Sequence, residues 1–336
     1  MLNKRQNFLE TLKKGGKPDR VVKQFEGTAL AIGDPVNFYV RGVRTPGMAP
    51  KKDRWGTTIM WPEGIPAAMP HVTEELKVIK DITSWRDFVK VPDLIANCDD
   101  RALWEPYLEQ ASQVDRGEEL LMMFAPTGVF ERLHFLMGFE DMFINFMTEP
   151  EALKDLCAAI GEHWYTGFKL MVENVHPDVI LSHDDWGSKQ NLFIQPELWR
   201  GFIKKSYEKS YGYLHDNGVL IMHHADSFLE PIVEDMIDLK IDIWQGVLPQ
   251  NDILKLQKQI DGRMTLMGGI DAAIVDRPDS TEAEIRTEAR RVLQTYCPGG
   301  NFIPSITYGG PGTIFPKADE FINDEIDKYN AEVFGR

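Results

Sequence analysis

The stretch DVILSHDDWG, residues 178–187, decides the fold class of this 336-residue chain. Its first half is short and apolar, as in a buried strand, and its second half changes at once to His183 and two aspartates. The pattern returns in VLIMHHAD, residues 219–226, where a predicted strand runs into His224 and Asp226. Short apolar runs are typical of strands in parallel sheets, and the carboxyl ends of such strands carry the functional groups of barrel enzymes.

Further strands are predicted on both sides of these two, and helical segments separate them. The predicted strands are 22–30, 120–125, 178–182, 219–222, 241–247, 264–268 and 301–304, and the predicted helices include 3–14, 135–147, 150–175 and 196–217. Residues 50–95 leave room for an eighth strand. This alternation predicts a parallel sheet, and the number of units favours a closed (β/α)8 TIM barrel. We expect one domain over residues 1–336, with an irregular N-terminal extension or rim over about residues 1–117.

The composition excludes several classes of protein. With 43% hydrophobic and 26% charged residues the chain is in the globular range, and no apolar run reaches the ~18–20 residues of a membrane span. The net charge of −15 argues against nucleic acid or an anionic membrane as a partner. Three widely spaced cysteines and the lack of a secretory signal favour a cytoplasmic protein. An acidic barrel of this size often forms a homodimer.

The predicted strand ends collect the candidate metal-binding residues. Residues two apart on a strand share a face, so His183 pairs with Asp185, and His224 pairs with Asp226. Imidazole nitrogens and carboxylate oxygens on neighbouring strands suit a divalent metal, with His224 and Asp226 as its ligands. The alternative is that these polar groups have a structural role, with Asp226 or Ser227 capping the following helix.

Other polar and aromatic side chains fall at the same end of the predicted barrel. Glu131 follows the strand at 120–125 and joins Asp185 and His183 as a candidate catalytic residue, although a lone Glu is also common in the first turn of a helix. The candidate substrate-binding residues, all of which follow predicted strands, are Trp186, Gln245, Asp271 and Tyr308. Core packing is the alternative role for the aromatic members of this set.

Several of these segments together resemble the uroporphyrinogen decarboxylase superfamily, and especially its corrinoid-dependent methyltransferase branch, which includes O-demethylases. The matching segments are DDWGSK at 184–189, FIQPELW at 193–199, HAD at 224–226, PIV at 231–233 and GGID at 268–271. The resemblance covers residues 118–336 and implies a (β/α)8 barrel. The decarboxylases of the superfamily carry an arginine-containing segment that binds the acidic side chains of a porphyrinogen. Residues 22–27 contain no counterpart, which argues against a porphyrinogen as substrate.

In the methyltransferase branch, the resemblance implies a zinc site made of a His-x-Cys pair and a later Cys. His224 falls on the histidine of that pair, Asp226 falls on its cysteine, and no cysteine stands near residues 305–307, where the later one would fall. A nitrogen and oxygen ligand set leaves the metal harder than thiolates do, and therefore better suited to polarise an ether oxygen. We thus expect a cobalamin-dependent methyltransferase, the O-demethylase component, which removes a methyl group from a small methoxylated aromatic substrate and transfers it to a cob(I)alamin corrinoid protein.

Three other functions stay open. A decarboxylase or lyase on the same barrel would use Asp185 to stabilise a cationic intermediate, without metal or corrinoid. A methylamine:corrinoid methyltransferase would hold a quaternary amine against Trp186 or Tyr308 by cation–π contact. A non-catalytic binding or scaffolding role would leave the strand-end residues as helix caps.

Overall fold

The computed structural model describes residues 1–335, which form a curled parallel sheet surrounded by helices. The strands are β1 (Thr28–Ala31), β2 (Met48–Lys52), β3 (Thr58–Trp61), β4 (Met69–Pro70), β5 (Leu120–Ala125), β6 (Val179–His183), β7 (Leu220–His224), β8 (Ile243–Val247), β9 (Thr265–Ile270) and β10 (Phe302–Ile306). The helices are α1 (Lys4–Leu12), α2 (Pro35–Arg41), α3 (Trp85–Phe88), α4 (Leu94–Cys98), α5 (Glu105–Ala111), α6 (Val129–Met137), α7 (Phe139–Thr148), α8 (Pro150–Val175), α9 (Pro196–Trp199), α10 (Lys205–Asp216), α11 (Val233–Asp238), α12 (Ile253–Ile260), α13 (Ala272–Val275), α14 (Glu282–Tyr296) and α15 (Pro316–Phe334).

Seven of the described strands form one parallel sheet in the order β1, β5, β6, β7, β8, β9 and β10. From β5 onward, each strand lies beside the next one in the chain, and at least one helix stands between them. This is the α/β alternation that the sequence predicts, and the barrel-type fold class is confirmed.

The predicted eighth strand is not found in the parallel sheet, and its placement in residues 50–95 is wrong. That region contributes to a separate antiparallel sheet in the order β2, β3, β4, and then to α3 and α4. Prolines and glycines between 62 and 70 turn the chain back within a few residues. Such a short connection allows antiparallel neighbours, whereas a parallel neighbour needs a long crossover.

The two edges of the parallel sheet, β1 and β10, are bridged by a side chain. Gln24 lies just before β1, and its Oε1 accepts a hydrogen bond from the backbone N of Ile306, at 3.3 Å. Its Nε2 donates to Asp319 at the start of α15. The segment that leads into β1 therefore lies between the two edge strands, at the place where an eighth strand would have paired with β10.

Apolar side chains on the inner face of the sheet fill the barrel. They are Leu120, Met122, Val179, Leu181, Met222, Ile243, Met267 and Ile303, and Phe8, Val22 and Phe25 of the N-terminal segment pack with them. The alternate side chains, such as Ile180 and Ile221, belong to the outer core between sheet and helices. The two-residue period places the next inward side chain at His183 on β6 and at His224 on β7. The interior is therefore apolar along most of each strand and polar at the carboxyl ends.

A buried ion pair fixes the N-terminal rim to the mouth of the barrel. Arg132 of α6 donates from Nη1 to Oδ2 of Asp53 at 2.7 Å, and both side chains are at most 3% exposed. The other oxygen of Asp53 accepts from the backbone N of Trp55 and of Thr57. Loss of one member of such a pair leaves a buried charge and costs about 3–5 kcal/mol. The position of the rim over the barrel is therefore defined by a strong, specific contact.

None of the helices described within residues 1–335 combines the length and the apolar character that crossing a membrane requires. The three cysteines, Cys98, Cys157 and Cys297, are free thiols. Burial raises the pKa of each thiol, to about 12 for Cys98, so these side chains pack as small apolar groups.

Candidate active site

Three polar side chains form one row across the carboxyl ends of neighbouring strands. His183 on β6 is the register partner of His224 on β7, which is the register partner of Gln245 on β8. The inward residues two positions earlier, including Leu181 and Met222, belong to the barrel interior. The alternation that buries the core therefore also turns this row into the barrel, as the sequence predicts for the two histidines.

The hydrogen bonds around His224 define its tautomer. Gln245 donates from Nε2 to the backbone O of Tyr308 at 2.7 Å, so its Oε1 is the atom that accepts from His224 Nδ1, at 2.6 Å. The proton of the imidazole is therefore on Nδ1, and Nε2 carries a lone pair. Burial, and then the charge of His183, lowers the pKa of His224 to about 3, so the ring is neutral. Its Nε2 lies 3.8 Å from Oδ1 of Asp185.

His183 has the opposite electrostatic surroundings. Its Nδ1 lies 3.0 Å from Oε2 of Glu131, and an ionised carboxylate can only accept, so Nδ1 donates. Burial alone would lower the pKa of His183, but the negative charges of Glu131, Asp185 and Asp184 outweigh it and raise this pKa to about 10. The ring centroids of His183 and His224 lie 4.4 Å apart, so a cationic and a neutral imidazole are neighbours.

His183, Asp185 and His224 together offer a suitable ligand set for a divalent metal. Each supplies one ligand atom, and these atoms all lie within 4.8 Å of one another. Two imidazoles and one carboxylate match the three protein ligands of a catalytic zinc site, which keeps further positions open. Glu131 and Gln245 hold the second nitrogen of each imidazole, as is usual for metal-binding histidines. A metal ion would displace the proton on Nε2 of His183, as metals do when they bind histidine, and with that proton removed the donor set fits a zinc-like ion.

Asp226, which the sequence predicts as the second ligand with His224, is not a member of this set. Strand β7 ends at His224, so the two-residue period no longer governs the direction of Asp226. Its side chain lines the cavity described below, and its backbone N donates to Oδ1 of Asp185 at 3.1 Å. Burial and the charge of Asp185 raise the pKa of Asp226 to about 7. Neither Asp226 nor Ser227 caps the next helix, since the Ser227 hydroxyl donates to the backbone O of Gly187.

Asp184 has a structural role that places Glu131. Its Oδ1 accepts from the backbone N of Glu131 at 2.8 Å, and its Oδ2 accepts from Phe130 N, from Trp186 Nε1 and from the Tyr207 hydroxyl. Asp184 thus caps the first turn of α6 from a neighbouring strand end. Gly128 precedes that turn, where a Cβ atom would lie about 2.3 Å from the Asp184 side chain. A glycine is required there for this close approach.

The cluster opens into a cavity of about 820 Å³ between the barrel and the rim. Its acidic and imidazole groups are Glu131, His183, Asp185 and Asp226, its aromatic walls are Phe124, His134, Phe135, Phe139 and Phe193, and the rim adds Arg41, Arg44, Met69, Pro70 and Val72. This volume is within the range of small-molecule sites. The mostly apolar walls and the few ionisable groups suit a small aromatic ligand.

A sequence model of the family described as "Uroporphyrinogen decarboxylase (URO-D)" matches residues 56–329. The chain belongs to the uroporphyrinogen decarboxylase family. The family resemblance stated from the motifs is therefore confirmed, and it extends further toward the N-terminus than the motifs indicate.

Among solved structures, a methyltransferase from Methanosarcina mazei has the same fold, with 18% identity and a TM-score of 0.68 over 98% of this chain and 99% of that one. A sugar phosphate isomerase/epimerase from Parabacteroides distasonis is much less similar. It has 10% identity and a TM-score of 0.34 over 70% of this chain and 92% of that one, and it carries no argument here. No curated protein sequence matches the chain.

In this member of the uroporphyrinogen decarboxylase family, the four predicted substrate-binding residues do not line the cavity. Trp186 is fully buried, donates to Asp184 and stacks on His223 at 3.9 Å between ring centroids. Gln245 orients His224, and Asp271 caps α13 through the backbone N of Ala273. Tyr308 accepts the Gln245 amide at its carbonyl. Strand-end position alone does not decide whether a side chain points into the cavity or into the packing behind it, and the substrate-binding role of these four residues stays a prediction.

Some residues that line the cavity are not predicted from the sequence. His134 stacks on Phe139 at 4.0 Å between ring centroids and lines the cavity. Burial lowers its pKa to about 4, so it is a neutral ring of the wall. The sequence predicts the rim itself, but no local pattern marks Arg41 or Arg44 as inward-facing.

Proposed function

We propose that the protein is a methyltransferase that removes the methyl group of a methoxylated aromatic compound and transfers it to a cob(I)alamin corrinoid protein. The observation that carries this proposal is the cluster of His183, Asp185 and His224 beneath an aromatic-walled cavity. The common fold with the Methanosarcina mazei methyltransferase, over nearly the whole of both chains, supports the same class of reaction.

The chemical difficulty of this reaction lies in the leaving group. When the O–CH3 bond breaks, the oxygen keeps the electron pair and leaves as a phenolate, which needs a proton or a positive charge to become a good leaving group. The corrinoid of the partner protein would supply the nucleophile for the methyl carbon. A zinc ion held by His183, Asp185 and His224 would supply Lewis-acid stabilisation of the oxygen.

The residues of the chain would then orient the substrate and deliver the proton. The aromatic walls, with Phe124 and Phe193 among them, hold the ring and exclude water. Glu131 and Gln245 keep both imidazoles in place. Asp226 lines the cavity outside the ligand set, and we assign it the proton that goes to the departing oxygen.

The test is methyl transfer by the purified protein. 3-Methoxybenzoate and 3-methoxybenzyl alcohol would be incubated with a reduced corrinoid protein, and with free cob(I)alamin as a second acceptor. The phenol product and the loss of cob(I)alamin absorbance would be measured together. We expect Asp185→Asn and His224→Ala to abolish the transfer, while Asp271→Asn, which removes a carboxylate that does not line the cavity, leaves it intact.

Metal dependence has its own readouts. We expect the purified protein to contain about one zinc per chain by mass spectrometry, chelation to remove both the metal and the activity, and Asp185→Asn to reduce the metal content. Absence of phenol from every methoxyarene tested, with a corrinoid partner known to be competent, would reject the proposal. Release of carbon dioxide without methyl transfer would favour the decarboxylase instead, and transfer from methylamines alone would favour the methylamine branch.

A further inference from the structure

Two arginines of the rim enter the cavity without a counter-ion. Arg41, at the end of α2, and Arg44, three residues later, both line it. The Arg41 guanidinium forms no ion pair or hydrogen bond with any residue in the described part of the chain, and its Nε is buried without a partner. Arg44 donates from Nε to the backbone O of Arg41, at 3.4 Å, and its remaining donors are unpaired within residues 1–335.

The carboxylates that act on the charge of Arg41 already have partners. They are Glu131 and Asp53. Glu131 accepts from His183, and Asp53 accepts from Arg132 and from two backbone N–H groups. The rim side of the cavity therefore carries two guanidinium charges that the protein itself does not balance. This is notable in a chain whose net charge is −15.

A partly buried guanidinium without acceptors is unfavourable in the free protein. Burial, and then the charges of Arg44 and Arg132, lowers the pKa of Arg41 to about 10, so it is still a cation at neutral pH. An incoming carboxylate would accept several of the unused donors, and the planar guanidinium matches carboxylate geometry better than an ammonium does. The binding energy of an acidic ligand would be concentrated there.

We propose that Arg41 and Arg44 bind a carboxylate on the substrate, so that the methyl donor is a methoxylated aromatic acid. This inference rests on the proposed function. The unpaired guanidinium groups of Arg41 and Arg44 attract an acidic group to the rim side of the cavity. The charges of the cavity therefore direct the acid toward the rim and leave the methoxy group for the cluster that includes His183.

Direct binding tests this without any corrinoid. Isothermal titration would compare 3-methoxybenzoate with 3-methoxybenzyl alcohol, a neutral compound of similar shape, on the purified full-length protein. We expect the acid to bind at least about tenfold more tightly than the alcohol, because hydrogen bonds between two charged groups are stronger than those of a neutral hydroxyl. Arg41→Gln should weaken binding of the acid by about 10–100-fold, Arg41→Lys by less, and Arg44→Gln in the same direction.

Two matched substitutions locate the effect. Arg54→Gln removes one positive charge from the rim but outside this cavity, and Lys189→Gln removes one from another part of the cavity wall. Unchanged binding of the alcohol to Arg41→Gln would show that the variant is folded. Equal affinity of the wild type for acid and alcohol would overturn the inference. So would equal losses in Arg41→Gln and Arg54→Gln, or a loss confined to Lys189→Gln.

The failure of this inference can be separated from the failure of the proposed function. If neutral methoxyarenes are demethylated as efficiently as acids and Arg41→Gln changes neither KM, the carboxylate site is refuted and the methyltransferase stands. If the binding preference and its loss in Arg41→Gln are observed but no methyl transfer occurs with either compound, the anion site stands and the methyltransferase is refuted.

Discussion

The contact between Gln245 and His224 gives the sharpest test of the metal site. Both side chains are at most 3% exposed. The amide oxygen of Gln245 accepts a hydrogen bond from His224 Nδ1, with 2.6 Å between the oxygen and the nitrogen. Gln245→Leu keeps a similar volume but removes this acceptor. The imidazole is then free to shift its proton to Nε2, the atom that faces Asp185.

The size of the effect of Gln245→Leu follows from the Nδ1–H group of His224, which loses its acceptor. A buried N–H donor without an acceptor costs about 1–3 kcal/mol, so the free energy of unfolding should fall by about that amount. Loss of a partner that orients a metal-binding histidine typically weakens metal binding about 10–100-fold. We therefore expect zinc affinity to fall by one to two orders of magnitude, which corresponds to ~1.4–2.7 kcal/mol.

The assay is competition for zinc against a chromophoric chelator, together with urea unfolding of the metal-free protein. Gln257→Leu is the matched control. Like Gln245, Gln257 uses its amide to donate to the backbone, in its case to two carbonyls at 2.9 and 3.0 Å, but it does not line the cavity. Gln245→Glu restores an acceptor and should recover most of the zinc affinity. If Gln245→Leu binds zinc as tightly as the wild type does, the tautomer of His224 is not set by Gln245, and the reasoning fails.

Three further results are expected. Trp186→Phe should lower the free energy of unfolding by about 1.5–3 kcal/mol, because it removes a hydrogen bond to the Asp184 carboxylate, but should leave the KM for a methoxyarene unchanged. Gly309→Ala would place a Cβ atom 2.9 Å from the ring of His183, and should weaken zinc binding about tenfold with little loss of stability. Burial, and then the charge of Arg132, lowers the pKa of His163 to about 3 from its ordinary value of 6.5. As the pH falls below 6.5, His163 therefore becomes protonated in the unfolded chain but stays neutral in the folded protein, and the free energy of unfolding decreases. Urea unfolding should therefore show about 1.6 kcal/mol more loss of stability between pH 6.5 and 5 in the wild type than in His163→Phe, and equal losses would contradict this.

The sequence predicts the parallel sheet and the two histidines for one physical reason. A short apolar run with a polar end has a fixed two-residue alternation, so its inward face can be followed residue by residue as far as the strand continues. His183 and His224 are the last residues of β6 and β7, and the alternation still applies to them. It no longer applies to Asp185 and Asp226, which both lie two residues beyond the ends of their strands, and of the two only Asp185 belongs to the cluster.

The cavity walls depend on contacts that a local pattern does not contain. Asp53 and Arg132 are 79 residues apart in the chain, yet their ion pair is what places the rim over the barrel. Whether Arg41 points into the cavity or into solvent depends on that docking. For the same reason Trp186 could not be separated from a cavity residue, because its partners Asp184 and His223 come together only in the folded sheet.

The register of the sheet links stability to chemistry in this protein. His183, His224 and Gln245 are paired in register, and the inward residues just before them, Leu181 and Met222 among them, pack in the barrel interior. A slip of β7 by one residue would exchange its inner and outer side chains, so that His223 would lose its contacts with Tyr211 and Trp186 and would turn into the barrel in place of His224. The buried contacts of His223 therefore favour the same register that assembles the cluster. Changes to the barrel interior should then affect zinc binding and stability together, whereas changes at Arg41 and Arg44, which have no ion-pair partner within residues 1–335, should affect ligand binding alone.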